Sequence, residues 1–471
     1  MKLTRRSLAS FVSITFLYGS FVRPSSVFAQ QLMTRHNATS PDGKKMLRLY
    51  AKAVTSMKQK SASGSPDSWI FQWYIHAVNS STSKSSEIQR LYPNQNDPNR
   101  LLADMLWSTC QAHLPGTVQA HFLPWHRAYL IVFEEIVRKE CGDPTFTLPY
   151  WDYTEDDIIP EEFRMPGDPE FSELFVSNRN VTVNDGAPIS SLSGVSREEI
   201  LNLAAMDETA YSGSSDGASL GFCANIDSQL HGFVHGLVGD VTNMGRVPTA
   251  ANDPVFWLHH CSIDRIWAGW NALGWVNPND NAWASSKHHF ADAVGNQLSF
   301  TNGAVSDTSL LGYKYDSLPI PLLTASSSAV TTAAAPEVEI LAASQAAISL
   351  GSEDINVRLV RPATAAAGDI SGKPASADVK RILSLEGLTT KVQPGVLYNI
   401  FAKRKESNLP VYLGSISFFD TENKSVTLLI DVTEKVNKYD DIDPLSYTIV
   451  PGGKPATDAS MSINSIRLLE K

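Results

Sequence analysis

The chain has 471 residues, and a hydrophobic share of 43% beside a charged share of 19% is that of a folded globular protein. This length exceeds what one compact core usually supports and predicts two folded domains. A formal net charge of −10 disfavours nucleic acid and anionic membrane as partners.

The chain opens Met1-Lys2-Leu3-Thr4-Arg5-Arg6-Ser7-Leu8, continues apolar to Val22, and reaches the small-residue sequence Val27-Phe28-Ala29 before Gln30. Residues 1–29 therefore read as a signal peptide, and the arginine pair resembles the twin-arginine signal of proteins that load a cofactor before export. That segment carries four cationic and no acidic side chains, so its removal takes the net charge to −14. No later apolar run approaches the ~20 residues that span a bilayer. The expected product is soluble and exported, periplasmic or secreted, without a membrane partner.

Residues 30–323 are rich in helical punctuation and aromatic residues and hold every histidine. Residues 324–336, TASSSAVTTAAAP, have the small-residue composition of a linker. In residues 337–471, segments such as VLYNIFAKR, LPVYLGSISFF, SVTLLIDVT and MSINSIRLL are β-branched or aromatic and separated by turn residues. They predict an all-β C-terminal sandwich. Cys110, Cys141, Cys223 and Cys261 are spaced too widely for a zinc ribbon or a C-x-x-C pair, and three complete disulfide pairings are open.

The eleven histidines carry the chemical signal. Trp69, Trp73 and His76 form a short helical stripe. His126, Leu130, Phe133 and Val137 form another, which points the histidine into an apolar bundle core. In HGFVH, His231 and His235 stand four apart and share one helical face. His260, Asp264 and Trp267 recur on one face of a helix entered after Asp253-Pro254. Taken singly, each is as readily a core histidine satisfied by hydrogen bonds. Several imidazoles pointing inward from separate helices are costly to desolvate together, whereas neutral rings that share a metal are not. Imidazole donors suit copper. The HExxH motif of hydrolytic zinc sites and the inward Glu-x-x-His pairs of di-iron bundles are absent.

HFLPWHRAYL with Glu134 following, and DPVFWLHHCSID, resemble the two signature motifs of the tyrosinase, catechol oxidase and haemocyanin copper domain. The likeness runs from about His76 to Tyr313-Lys314-Tyr315, similar to the Tyr-x-Tyr element that closes that domain. The resemblance implies a mainly α copper domain with a four-helix bundle core, followed by the β sandwich. It implies two copper ions in a dinuclear type-3 centre: His76 and His126 on copper A, and His231, His235 and His260 on copper B. His259 is then a neighbour, hydrogen-bonded or in the second layer around the metal. The family's remaining copper A histidine falls where this chain has Thr117. His113 is the favoured substitute, His121 the other, with His121 otherwise lining the pocket. A cysteine–histidine thioether, found in some members, is doubtful here because Cys110-Gln111-Ala112-His113 is one residue longer than the usual spacing.

The activity so implied is dioxygen-dependent oxidation of catechols to o-quinones, with monophenol hydroxylation open; reversible dioxygen carriage, as in haemocyanin, is the alternative. Asp227 occupies the place of the family's water-positioning Glu. Gly232 stands where monophenol-active members often carry Asn, which leans toward diphenol oxidation. Val247 matches a gate position that some plant catechol oxidases fill with Phe. Arg127 and Asp264 are either a pair between the copper helices or independent surface ion pairs, and Phe256 and Trp257 are expected in the core.

Overall fold

The computed structural model describes residues 32–79, 81–110, 121–320, 338–362, 379–407, 409–422, 424–439 and 441–471. The signal-peptide and linker assignments, and His113 with them, lie outside the described residues.

The first half is helical. Helix α1 (Pro41–Gln59) starts at Ser40, whose hydroxyl accepts from the Gly43 amide at 3.0 Å, with Pro41 pre-set in the first turn. Helix α2 (Trp69–His76) is capped in the same way by Ser68. Helices α3 (Lys84–Leu91) and α4 (Pro98–Leu106) follow. The long α5 (Phe122–Cys141) stops at Gly142, whose φ of 74° is the left-handed turn that glycine accepts without strain. Next come α6 (Gly221–Ile226), a π-helical turn over Asp227–His231, and α7 (Gly232–Val238). Helix α8 (Val255–Ala272) begins where the Asp253 carboxylate accepts from the Val255 amide at 2.9 Å; the same carboxylate is clamped by buried Arg179 at 2.6 and 2.7 Å. Helices α1, α2, α5 and α8 share one core, in which Phe133 and Trp257 stack with ring centroids 3.3 Å apart.

Strand β1 (Met33–Arg35), the β2–β3 hairpin (Lys287–Ala291, Gln297–Thr301) and β4 (Tyr313–Tyr315) trim this bundle. β1 and β4 pair in parallel, Arg35 opposite Tyr315. That pairing sends Arg35 into the bundle, where it donates to Glu134 of α5 at 2.9 Å and to Asp264 of α8 at 3.2 Å. Asp264 also takes Arg127 at 2.5 Å and the hydroxyls of Tyr313 and Tyr315 at 2.7 and 2.5 Å. Arg127 and Asp264 are thus a buried pair rather than separate surface ion pairs, and the Tyr-x-Tyr element is the clasp that locks it. Burial pushes the Asp264 carboxyl up, but Arg127 and Arg35 outweigh that and hold it below its usual value.

The second half is a β sandwich. One sheet has the order β10-β9-β12-β7 (Val411–Ile416, Tyr398–Arg404, Ile442–Pro451, Ile355–Arg358). The other has the order β5-β14-β8-β13-β6 (Glu339–Ala343, Ser465–Glu470, Arg381–Thr390, Met461–Ile463, Ile348–Leu350), with β11 (Val426–Asp431) also paired to β8. Alternating residues such as Leu383, Leu385, Ile400, Ala402, Ile449 and Leu468 fill the space between the sheets. The four segments singled out in the sequence all contribute strands to this sandwich.

Candidate metal centre

His76 ends α2, His126 lies in the first turns of α5, His231 closes the π turn, His235 is on α7 and His260 on α8. All five are buried and lie within one cluster of rings. His126 and His260 stack at 4.1 Å, His76 is 5.9 Å from His126, and His231 lies 4.5 and 5.0 Å from His235 and His260.

Each of four rings is held by a backbone carbonyl that accepts from its Nδ1. The acceptors are Val247 for His76 (3.2 Å), Phe122 for His126 (2.9 Å), Asp227 for His231 (3.1 Å) and Met244 for His235 (2.8 Å). A carbonyl can only accept, so Nδ1 carries the proton and Nε2 presents its lone pair. Two sets of donor atoms result, each within 4.8 Å of one another: His231, His235, His259 and His260, and His76, Cys110 and His126.

The fit to a metal rests on what is left unpaired. His235 Nε2 and both ring nitrogens of His259 and of His260 are buried without a hydrogen-bond partner. At about 1–3 kcal/mol for each unsatisfied buried polar group, these five atoms forfeit a large part of a domain's stability unless something binds them. A shared cation takes one nitrogen from each of these three rings and removes the cost for those atoms. Burial first, then repulsion among the rings, holds His235, His259 and His260 well below the usual histidine range, so they are neutral and ready to ligate at neutral pH.

The packing places the neighbouring residues singled out in the sequence. His259, expected as hydrogen-bonded or in the second layer around the metal, has no hydrogen bond; it stacks on His231 at 5.3 Å and stands within ligating reach of the second set. His121 does not join the first set. It ends in the turn before α5, where its Nδ1 accepts from Asn302 at 2.9 Å, and the Asn302 carbonyl oxygen in turn accepts from His288 at 2.7 Å. Phe256 is core, as expected, and also forms a wall of the centre, 4.2 Å from the His260 ring and 5.1 Å from His76. Trp257 is core, as expected. Phe122, unremarked in the sequence, covers His126 and His231 at 4.7 and 4.6 Å. None of the four cysteines is in a disulfide.

Asp227 is buried on the π turn, its Oδ1 3.0 Å from Nδ1 of His231. Val247 is half-buried and reaches the centre through its carbonyl. Gly232 lies against the β domain: Ser417 donates to its carbonyl at 3.0 Å, and a Cβ on Gly232 would fall 3.0 Å from that hydroxyl oxygen. Two residues along, Phe419 stacks face to face on His235 at 4.0 Å and meets His231 edge-on at 5.4 Å. Arg246 holds the same loop by two bonds to Glu422, at 2.6 and 2.8 Å. Nothing in the sequence could signal Phe419, because the contact depends on how the β domain docks.

A sequence model of the common central domain of tyrosinase matches residues 66–199 and 196–273. A tyrosinase from Hahella sp. (strain CCB-MM4) is 29% identical over 465 residues, covering 90% of this chain and 96% of that protein. The chloroplastic polyphenol oxidase A1 of Vicia faba is 30% identical over 274 residues, 50% of this chain and 45% of its own length; the chain thus aligns with less than half of that plant protein. Among solved structures, latent apple tyrosinase superposes with a TM-score of 0.64 at 22% identity, covering 94% of this chain and 98% of that one, a likeness of fold that includes the β domain. Among the described residues no helix is long and apolar enough to cross a membrane. With its histidine-lined bundle, its Tyr-x-Tyr clasp and this set of relatives, the chain belongs to the tyrosinase and catechol oxidase family of type-3 copper oxidases.

Proposed function

We propose that the protein oxidises o-diphenols to o-quinones with dioxygen, using one copper held by His76 and His126 and a second held by His231, His235 and His260. The observation that carries this reading is the set of buried, unpartnered ring nitrogens on His235 and His260, beside rings whose Nδ1 atoms are already tied to carbonyls. When bound, the copper pair supplies the electron exchange with dioxygen. The chain's own residues fix the imidazoles in one tautomer, and Phe122 and Phe256 keep water from the shared space between the rings.

The chain's own groups favour diphenols over monophenols. Hydroxylating a monophenol calls for a group that takes the phenol proton. Here the Asp227 carboxylate is drawn against His231, and Gly232 brings no side chain. A catechol sheds its first proton more readily and asks less of the pocket. Phe419 lies where an aromatic substrate would approach His235, so the β domain holds the enzyme in a closed, low-activity form. The solved apple relative is itself described as latent.

The test is copper reconstitution followed by a catechol assay under air. The expected result is two coppers per chain, quinone formation and matching oxygen uptake. His260→Ala should lose copper and activity together. Fewer than two bound coppers would overturn the paired-metal reading, and an oxygenated band without quinone would mark a carrier instead.

A further inference from the structure

The first donor set contains a sulfur. Cys110, at the end of the segment that follows α4, is half-buried, and its Sγ lies 3.9 Å from Nε2 of His126. Together with a ring nitrogen of His76, these atoms fall within 4.8 Å of one another. The backbone brings the cysteine here: the amides of Ser108 and Thr109 donate to the carbonyls of Tyr74 and Ile75, at 2.8 and 3.1 Å, so the turn after α4 is tied to the end of α2 beside His76. The spacing suits a shared ion. With metal–nitrogen and metal–sulfur bonds of about 2.0 and 2.3 Å, a 3.9 Å separation corresponds to an angle of about 130° at the metal, between trigonal and linear. The soft thiolate favours the cuprous over the cupric ion, and the open, low-coordinate geometry favours it over zinc, which takes four tetrahedral ligands.

We propose that Cys110, with His76 and His126, forms a two-nitrogen, one-sulfur site through which the protein takes up its first copper as Cu(I). Binding replaces the S–H bond by an S–Cu(I) bond and releases one proton to solvent, with no change in oxidation state. The proposal rests on the copper reading above. It adds that the sulfur is a ligand during loading, and it gives the first site a preference for Cu(I) that the all-imidazole second site lacks. The remaining cysteines, Cys141, Cys223 and Cys261, are buried outside both donor sets and serve as internal controls.

The experiment titrates Cu(I) into the metal-free full-length protein under anaerobic conditions, with copper-edge X-ray absorption and thiol alkylation mapped by mass spectrometry as readouts. Expected are sulfur scattering in the wild type that disappears in Cys110→Ser, and alkylation of Cys110 slowed at least about tenfold by Cu(I). That protection should vanish in His126→Ala. Cys110→Ala, checked for folding by thermal melting, guards against a misfolded serine variant. Two bound coppers with nitrogen scattering only would overturn the proposal and leave the enzyme reading standing. Failure to bind any copper would overturn both. A metal-free protein lighter by two hydrogens, with Cys110 resistant to alkylation, would show the sulfur already consumed in a covalent bond and would equally overturn the proposal.

Discussion

Replacing Phe419 by Ala should wake the enzyme. The ring stacks on His235 at 4.0 Å and abuts His231, and a stacked aromatic pair contributes about 0.5–1.5 kcal/mol beyond its buried area. Re-exposing a half-buried ring adds about 1 kcal/mol. The closed arrangement would thus lose about 2 kcal/mol, which multiplies the open fraction by roughly 30 while the closed form dominates. The other ties of the loop, Ser417 to Gly232 and Glu422 to Arg246, remain, so the closed form still dominates and the rise is limited to about that factor. The assay is the initial rate of catechol oxidation at equal copper content, with Leu409→Ala, an exposed position elsewhere on the β domain, as the control. Expected is a roughly thirtyfold rise in kcat/KM for Phe419→Ala and none for the control. An unchanged or lower kcat/KM in the Phe419 variant, copper being equal, would refute the view that this ring obstructs the site.

Asp264→Asn leaves the buried guanidinium of Arg127 without its carboxylate and weakens the clasp on Arg35; a loss of about 3–5 kcal/mol is expected, or about 6–20 °C in Tm by calorimetry. Gly232→Asn must push Ser417 aside, so it should raise basal catechol oxidation and speed proteolysis between the domains; slower proteolysis would count against the close approach seen here. His288 has its pKa pushed down to about 4, by burial above all, against about 6.5 in an unfolded chain. Between those values the unfolded chain binds a proton that the folded one refuses, so this contribution is complete above pH 6.5 and about 3 kcal/mol of it is lost by pH 4. Urea midpoints for the wild type and His288→Gln should therefore converge as pH falls through that window; parallel curves would exclude the effect.

Spacing along a helix needs no tertiary information, and that is why most of this centre was legible early. His126 with Leu130, Phe133 and Val137, the His231–His235 pair, and His260 with Asp264 all keep their side chains on one helical face whatever the helix packs against. The strands after residue 337 were legible for a similar reason, since β-branched and aromatic runs broken by turn residues suit little else.

What the sequence determined by itself was thus the inventory: which helices carry inward histidines, where the β sandwich begins to take shape, and the resemblance that names the metal. Only the tertiary structure decided the relations among distant residues. His259 and His260 lie about 100° apart on their helix, so whether one or both face the centre depends on how α8 is rotated against its neighbours. His121 is tied through its Nδ1 to Asn302, 181 residues away. Arg35 meets Glu134 and Asp264 across 99 and 229 residues, and Phe419 covers His235 only because the sandwich docks on α7. Such contacts are set by packing, and packing has no period that a sequence can display.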